Sequence, residues 1–150
     1  MNKYFMDIAF KEAEMAFFDN EVPVGAVIVK NGEIISKSHN LKEKLNSVLK
    51  HAELNVIEEA SSKCHNWRLD GCDIYITLEP CPMCASAIKQ ARISRVFCAL
   101  SNSDVKNGEI IKNIFGNSDS TNNKVEFYNN LDMDRASEIL KKFFEIQRKK

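Results

Sequence analysis

Phe5, Ile8, Ala9, Ala13, Ala16 and Phe17 recur at intervals of three and four among charged residues, the spacing of a helix with one apolar face. Asp19-Asn20-Glu21-Val22-Pro23 interrupts that pattern, and Val24 to Val29 then forms an apolar run of strand length. Lys30-Asn31-Gly32-Glu33 carries the Asn-Gly signal of a tight hairpin, so Ile34 to Ser38 is the expected returning strand. A polar stretch from His39 to Lys50 precedes a helical pattern over His51 to Ala60. After a loop around Asn66-Trp67-Arg68, Asp73 to Thr77 alternates as a strand does. Pro80-Cys81-Pro82-Met83-Cys84 opens a helix running to Ala91, and Arg95 to Leu100 is a further strand.

Ser101 to Lys124 has the weakest pattern, with a short helix expected around Ile110 to Phe115, and it is the natural place for a substrate loop. Val125 to Tyr128 supplies a last strand. Met133, Ala136, Ile139, Leu140, Phe143 and Phe144 mark a closing amphipathic helix. Strands alternating with helices after an initial hairpin predict an α/β protein, a three-layer α/β/α sandwich around a mixed sheet of about five strands. With 150 residues and neither a repeat nor a linker, the expectation is one domain spanning 1–150.

Composition narrows the function classes. No apolar run approaches the length of a membrane span, and the first residues, Met1-Asn2-Lys3-Tyr4-Phe5-Met6-Asp7, lack the apolar core of a secretion signal. A cytoplasmic protein that does not enter the membrane is expected. Twenty-one basic residues balance twenty-one acidic ones, so no global field attracts nucleic acid, and an RNA partner must be met by a local patch. The five cysteines are an odd number, which speaks against a disulfide framework and for metal binding by the close pair.

That pair belongs to a larger pattern: His51-Ala52-Glu53, then 26 residues, then Pro80-Cys81-Pro82-Met83-Cys84. Cys81 and Cys84 stand three apart at a helix start, on one face and near the positive end of the helix dipole, where thiolates are favoured. His51 offers a third ligand from a second helix start, leaving one tetrahedral position open, as catalytic zinc requires. Glu53 is the candidate proton carrier beside it. Positions two apart do not share a helix face, so His51 and Glu53 are expected in different roles, one ligand and one shuttle. The other readings are a redox CxxC, and a closed structural site with Cys64, His65, Cys72 or Cys98 as fourth ligand. Cys98 and Cys72 sit in apolar surroundings where a small buried thiol is the default.

The order His-x-Glu followed by Pro-Cys-x-x-Cys matches the known signature of zinc deaminases. The chain resembles the bacterial tRNA-specific adenosine deaminases of the cytidine-deaminase-like superfamily. The similarity runs through Glu21 to Val27, Asn40, His51-Ala52-Glu53, Asn66-Trp67-Arg68-Leu69, Thr77 to Ala85 and Ala91-Arg92-Ile93, with weaker similarity over Asp104 to Gly108. The resemblance implies a cytidine-deaminase-like fold, one zinc ion per subunit, a homodimer, and hydrolysis of adenosine to inosine in a tRNA anticodon loop. It also implies that Asn40 holds the purine, that Val24 and Ala52 line its pocket, and that Asp104 lies beside the flipped nucleotide. On the residues alone, Asn40 and Asp104 are polar turn positions.

The sequence departs from the family at Ser47-Val48-Leu49-Lys50, where Asp-Pro-Thr-Ala is typical, and at Asn107, where threonine is usual. Two alternatives stay open from sequence. One is a deaminase of a free base or nucleotide with the same metal chemistry, and the other is a noncatalytic zinc-stabilised RNA-binding protein. Glu53 is the residue that separates catalysis from the latter.

Overall fold

A computed structural model of the chain describes residues 1–102, 104–116 and 124–150. Helix α1 spans Lys3–Phe18, and its start is fixed twice: Asn2 Oδ1 accepts from the Tyr4 N–H at 2.9 Å, and the Asn2 N–H donates to the Tyr75 hydroxyl at 3.0 Å. Strands β1 (Gly25–Lys30) and β2 (Glu33–His39) form the expected hairpin. Asn31 and Gly32 carry its turn at φ 51° and 79°, the left-handed pair that matches strand twist. Next come α2 (Ala52–Cys64), β3 (Cys72–Ile76), α3 (Pro82–Gln90), β4 (Arg95–Cys98), α4 (Val105–Gly116), β5 (Glu126–Tyr128) and α5 (Met133–Arg148).

The sheet order is β2-β1-β3-β4-β5, with β1 antiparallel to both neighbours and β3, β4 and β5 parallel. Alternation along the strands separates two cores. Ala26, Ile28, Ile74, Ile76 and Val96 face α2, α3 and α4 through Val56, Ala85, Ile88, Ile111 and Phe115. Val27, Val29, Tyr75 and Phe97 face α1 and α5 through Phe5, Met6, Phe10 and Ala136. This is the α/β/α sandwich predicted from sequence. On the α1 face Tyr75, Phe97 and Tyr128 stack strand to strand, with ring centroids 4.8 and 5.2 Å apart.

Close packing of α1 on β1 depends on Gly25. A Cβ there would meet the Ala9 carbonyl oxygen at 1.9 Å and the Ala13 nitrogen at 2.7 Å. The Gly25 N–H donates to Thr77 Oγ1 at 3.1 Å, which joins the start of β1 to the segment leading into α3.

Two sequence expectations need correction. The segment after β4 holds a helix of twelve residues, Val105–Gly116, longer than the short helix expected around Ile110 to Phe115. Asp104 Oδ1 accepts from the Lys106 N–H at 3.0 Å and caps its start, while Ile111 and Phe115, one turn apart, supply its buried stripe. Residues 117–123 of the expected substrate loop lie outside the described residues. His39, placed in the polar stretch, ends β2 as a buried residue whose Nδ1 lies 2.9 Å from Glu12 Oε1 on α1. A sequence pattern cannot show a partner 27 residues away. No described helix is long and apolar enough to cross a membrane.

Candidate metal centre and substrate cavity

His51 is the N-cap of α2 and Cys81 the N-cap of α3, both in extended conformation and neither capping its helix with its side chain. Pro82 takes the first position of α3, where a missing N–H leaves no partner unsatisfied, and Cys84 stands two residues further on. The two helix starts come together: His51 Nδ1 lies 3.5 Å from Cys84 Sγ and 3.9 Å from Cys81 Sγ. All three ligand atoms fall within 4.8 Å of one another. A tetrahedral zinc ion, with bonds of about 2.3 Å to sulfur and 2.0 to 2.1 Å to nitrogen, sets such N and S atoms about 3.5 Å apart. The donor set and its spacing therefore fit zinc with one coordination position left open. Among the described residues, this is the group of His, Cys and carboxylate side chains arranged to hold a metal. Cys72 and Cys98 are buried elsewhere and Cys64 is exposed, so the closed four-ligand site is not formed.

The electrostatics favour metal binding. Cys81 is pulled down to about 5, first by a hydrogen bond from Cys84, then by the Cys84 and Met83 backbone N–H groups and by His51. Cys84 is pushed up because it gives its proton to Cys81, is buried, and lies near Glu53. A divalent cation takes the place of the shared proton, since thiolates are the form that ligates. Glu53, the second residue of α2, is 4% exposed. Burial pushes its carboxyl up to about 7, with the nearby Cys81 thiolate adding to the rise, which suits a group that must take and return protons near neutral pH. His51 and Glu53 line one cavity despite being two apart, because His51 lies in the extended cap and not on the helix.

That cavity, of about 220 Å³, is lined by residues from five places in the chain: Val22 and Val24; Asn40 and Lys42; His51 and Glu53; Leu78, Glu79 and Cys81; and Asn102. It falls below the range of drug-sized sites, about 300 to 1,000 Å³, and suits a single heterocycle. Asn40 and Val24 both line this cavity. Asn40 is also structural, its Oδ1 accepting from the Ala52 N–H at 2.9 Å and its Nδ2 donating to the Val22 carbonyl at 3.0 Å. That leaves one N–H and one lone pair for a ligand. Ala52, which the resemblance placed in the pocket lining, is fully buried and not among the lining residues. Asp104 is exposed, is not among the lining residues, and serves as the cap of α4.

Sequence reasoning missed the role of two buried carboxylates. Glu21, 1% exposed, accepts from the Glu43 and Lys44 N–H groups at 3.0 and 2.8 Å and so holds the loop that brings Lys42 to the cavity mouth. Glu79, 6% exposed, lines the cavity itself. Both lie inside motifs quoted from sequence, but their partners are backbone and amide groups more than twenty residues away, which no local spacing announces. A groove of about 460 Å³ shares Val22, Asn40 and Lys42 with the cavity and runs on to Phe143 and Gln147 of α5.

Comparison with known proteins agrees with this geometry. The family model of the cytidine and deoxycytidylate deaminase zinc-binding region matches residues 1–100. The tRNA-specific adenosine deaminase of Aquifex aeolicus is 44% identical over 147 residues, covering 95% of this chain and 93% of that protein. That of Rickettsia bellii is 44% identical over 139 residues, covering 91% and 94%. A solved structure from a study of A-to-I editing by tRNA:A34 deaminases at the wobble position has a TM-score of 0.82 at 38% identity, covering 93% of this chain and all of that one. A guanine deaminase from Nitrosomonas europaea shares the fold alone, with a TM-score of 0.82 at 19% identity over 95% of this chain and 84% of that one. Matched by the deaminase model and by relatives this similar along nearly its whole length, the chain belongs to the tRNA-specific adenosine deaminase family.

Proposed function

We propose that the protein hydrolyses adenosine to inosine at the wobble position of a tRNA anticodon, as a single zinc deaminase domain that works in the cytoplasm as a homodimer. The observation that carries this reading is Glu53, buried in the same small cavity as the His51, Cys81 and Cys84 ligand set.

When bound by those three residues, zinc supplies the Lewis acidity that makes water nucleophilic near neutral pH. Glu53 takes a proton from the attacking water and delivers it to N1 of the purine as the oxygen joins C6. It then carries the second proton of that oxygen to the exocyclic nitrogen as the C6–N bond breaks. Ammonia leaves, C6 keeps the oxygen, and Glu53 ends with the proton count it began with. Val24 and Leu78 give the base an apolar wall, and the spare N–H and lone pair of Asn40 meet its polar edge.

A cavity sized for one base demands that the base be unstacked, which an anticodon loop allows at small energetic cost. The adjoining groove toward Phe143 and Gln147 has room for neighbouring nucleotides, with Lys42 at the junction. Asp104 stands at the start of α4, where the nucleotide next to the target would pass. Exposed Val48, Leu49 and Met83 lie next to the ligand-bearing segments and are apolar enough to be covered by a second subunit.

The test is to incubate zinc-loaded protein with an A34 anticodon stem-loop and, separately, with free adenosine, guanine and cytidine, scoring inosine and ammonia. Inosine from the RNA alone is expected, and Glu53→Ala should lose it while keeping zinc. Turnover of a free base alone would overturn the substrate, and turnover by Glu53→Ala would remove Glu53 from the mechanism. Light scattering of the purified protein decides the dimer.

A further inference from the structure

Glu79 faces the substrate cavity, yet both oxygens of its carboxylate are taken up by donors from the C-terminal third of the chain. Oε2 accepts from the Asn102 backbone N–H at 3.2 Å and from Asn107 Nδ2 at 3.0 Å, and Oε1 accepts from Asn129 Nδ2 at 3.0 Å. Among the described residues lining the cavity, Asn102 alone comes from beyond position 100. Its own Oδ1 accepts from the Asp104 N–H at 2.9 Å, and Asp104 caps α4 through the Lys106 N–H at 3.0 Å. Asn107, on that first turn, returns to Glu79. The bonds close a circuit from Glu79 through Asn102, Asp104 and α4 back to Glu79. Asn129, between β5 and α5, adds an anchor from a third segment.

We propose that Glu79 is a positioning residue that fastens the Asn102 wall and the first turn of α4 against the substrate cavity, and that its bonds govern substrate capture rather than the chemical step. Hydrogen bonds to a carboxylate are roughly twice as strong as neutral ones, so two of them hold a segment whose helix buries only Ile111 and Phe115, and the third, from Asn129, steadies the carboxylate itself. The effect on capture rests on the deaminase reading, while the fastening does not. Asn107 is the better handle for a test. Asn107→Asp keeps the shape of the side chain and places an acid in the first turn of α4, where the helix dipole favours it. It leaves α4 itself unweakened but sets carboxylate against carboxylate at Glu79. Adding Glu79→Gln turns an amide donor toward the new carboxylate and so restores the link to α4, while the Asn102 N–H, which shares Oε2 with Asn107, loses its acceptor.

The experiment compares the zinc-loaded full chain with its Asn107→Asp and Glu79→Gln/Asn107→Asp variants. Zinc content, kcat and KM on the A34 stem-loop, and hydrogen exchange of residues 104–110 without RNA are measured. Asn107→Asp should keep its zinc and a kcat within about twofold while KM rises about tenfold, the scale of a lost hydrogen bond to a charged group. Exchange at the start of α4 should quicken. The double variant should bring exchange back to within about threefold, while KM recovers only in part because the Asn102 N–H stays without its carboxylate. Unchanged KM and exchange in Asn107→Asp, a fall in kcat alone, or exchange that the double variant leaves quickened would overturn the proposal. Absence of inosine from the unmodified protein would overturn the deaminase reading. The exchange data would then still decide the fastening, being quickened and reversed if it holds and unchanged if it does not.

Discussion

Asn40 accepts a hydrogen bond from the Ala52 N–H at 2.9 Å and so provides the start of α2 with the cap that His51 does not. A residue that would meet the substrate is thus also part of the frame that sets the metal-binding histidine. Asn40→Ala is expected to lower stability by about 1 kcal/mol, the usual loss for a missing helix cap, and to raise KM as well. Asn40→Asp keeps the acceptor for the Ala52 N–H but turns a carboxylate oxygen toward the Val22 carbonyl 3.0 Å away, so its stability should fall as well. Melting curves of both variants decide this, and an unchanged Tm for Asn40→Ala would leave the residue with no structural part.

Gly25 and Gly108 should respond to alanine in opposite senses. At Gly25 a methyl group meets backbone atoms of α1 at 1.9 and 2.7 Å. The helix must move off the sheet, at a loss of about 1 to 3 kcal/mol or more. At Gly108, inside α4, nothing lies within 4 Å of the new carbon. Alanine there should add about 0.5 to 1 kcal/mol. Denaturant titrations of the two variants supply the comparison, and a Gly25→Ala protein as stable as the parent would mean that α1 does not pack this closely on β1.

Metal and shuttle should separate cleanly. Stripping the protein with a chelator should lower Tm, because a ligand bound only by the folded state stabilises it, and zinc but not magnesium should restore it. Cys84→Ala should lose both zinc and that stabilisation. Glu53→Gln should retain zinc while turnover falls by about 10² to 10⁴. A Glu53→Gln protein that no longer binds zinc would make Glu53 a ligand instead of a proton carrier.

The contact between α1 and α5 should weaken in acid. Arg135 donates to Asp7 at 2.7 Å and stacks over the Phe10 ring at 4.3 Å. The Arg135 hydrogen bond, helped by Lys3, holds the Asp7 carboxyl below its ordinary 3.8. In the window between the folded and ordinary values the unfolded chain binds the extra proton, so stability rises with pH there. The contribution is complete above the ordinary value and lost as pH falls through the folded one. Asp7→Asn should therefore lie below the parent in Tm at pH 5 and approach it as the pH is lowered through this window. Parallel curves would assign the bond no share in acid stability. Both side chains are more than a third exposed to solvent, so the difference should be small.

How far the molecule could be read from its sequence depends on the range of each interaction. The hairpin at Asn31-Gly32 and the alternation in Ile74-Tyr75-Ile76 are local signals, and both appear where expected. The ligand set was legible because Cys81 and Cys84 share one helix start and His51 another. Helix α4 was underestimated because Gly108 and the polar residues around it dilute a stripe of just two buried side chains. Its Asp104 cap was the signal available. Glu12, Glu21 and Glu79 were illegible in their true roles. A buried carboxylate is defined by its donors, and those donors arrive from distant segments through the fold.

The division of the cavity between the two parts of the chain has an evolutionary consequence. The ligands, Glu53 and nearly all of the wall fall within residues 1–100, the part shared with the wider deaminase family. Among the described residues, the remainder reaches the cavity wall only through Asn102, whose backbone N–H is held by the Glu79 carboxylate. Descendants can therefore vary the Asn102 wall and the surface around it, and with it the substrate presented to the base-sized cavity, while inheriting the reaction unchanged. Selection for a new substrate then has a short stretch of wall to work on, beside chemistry that need not be reinvented.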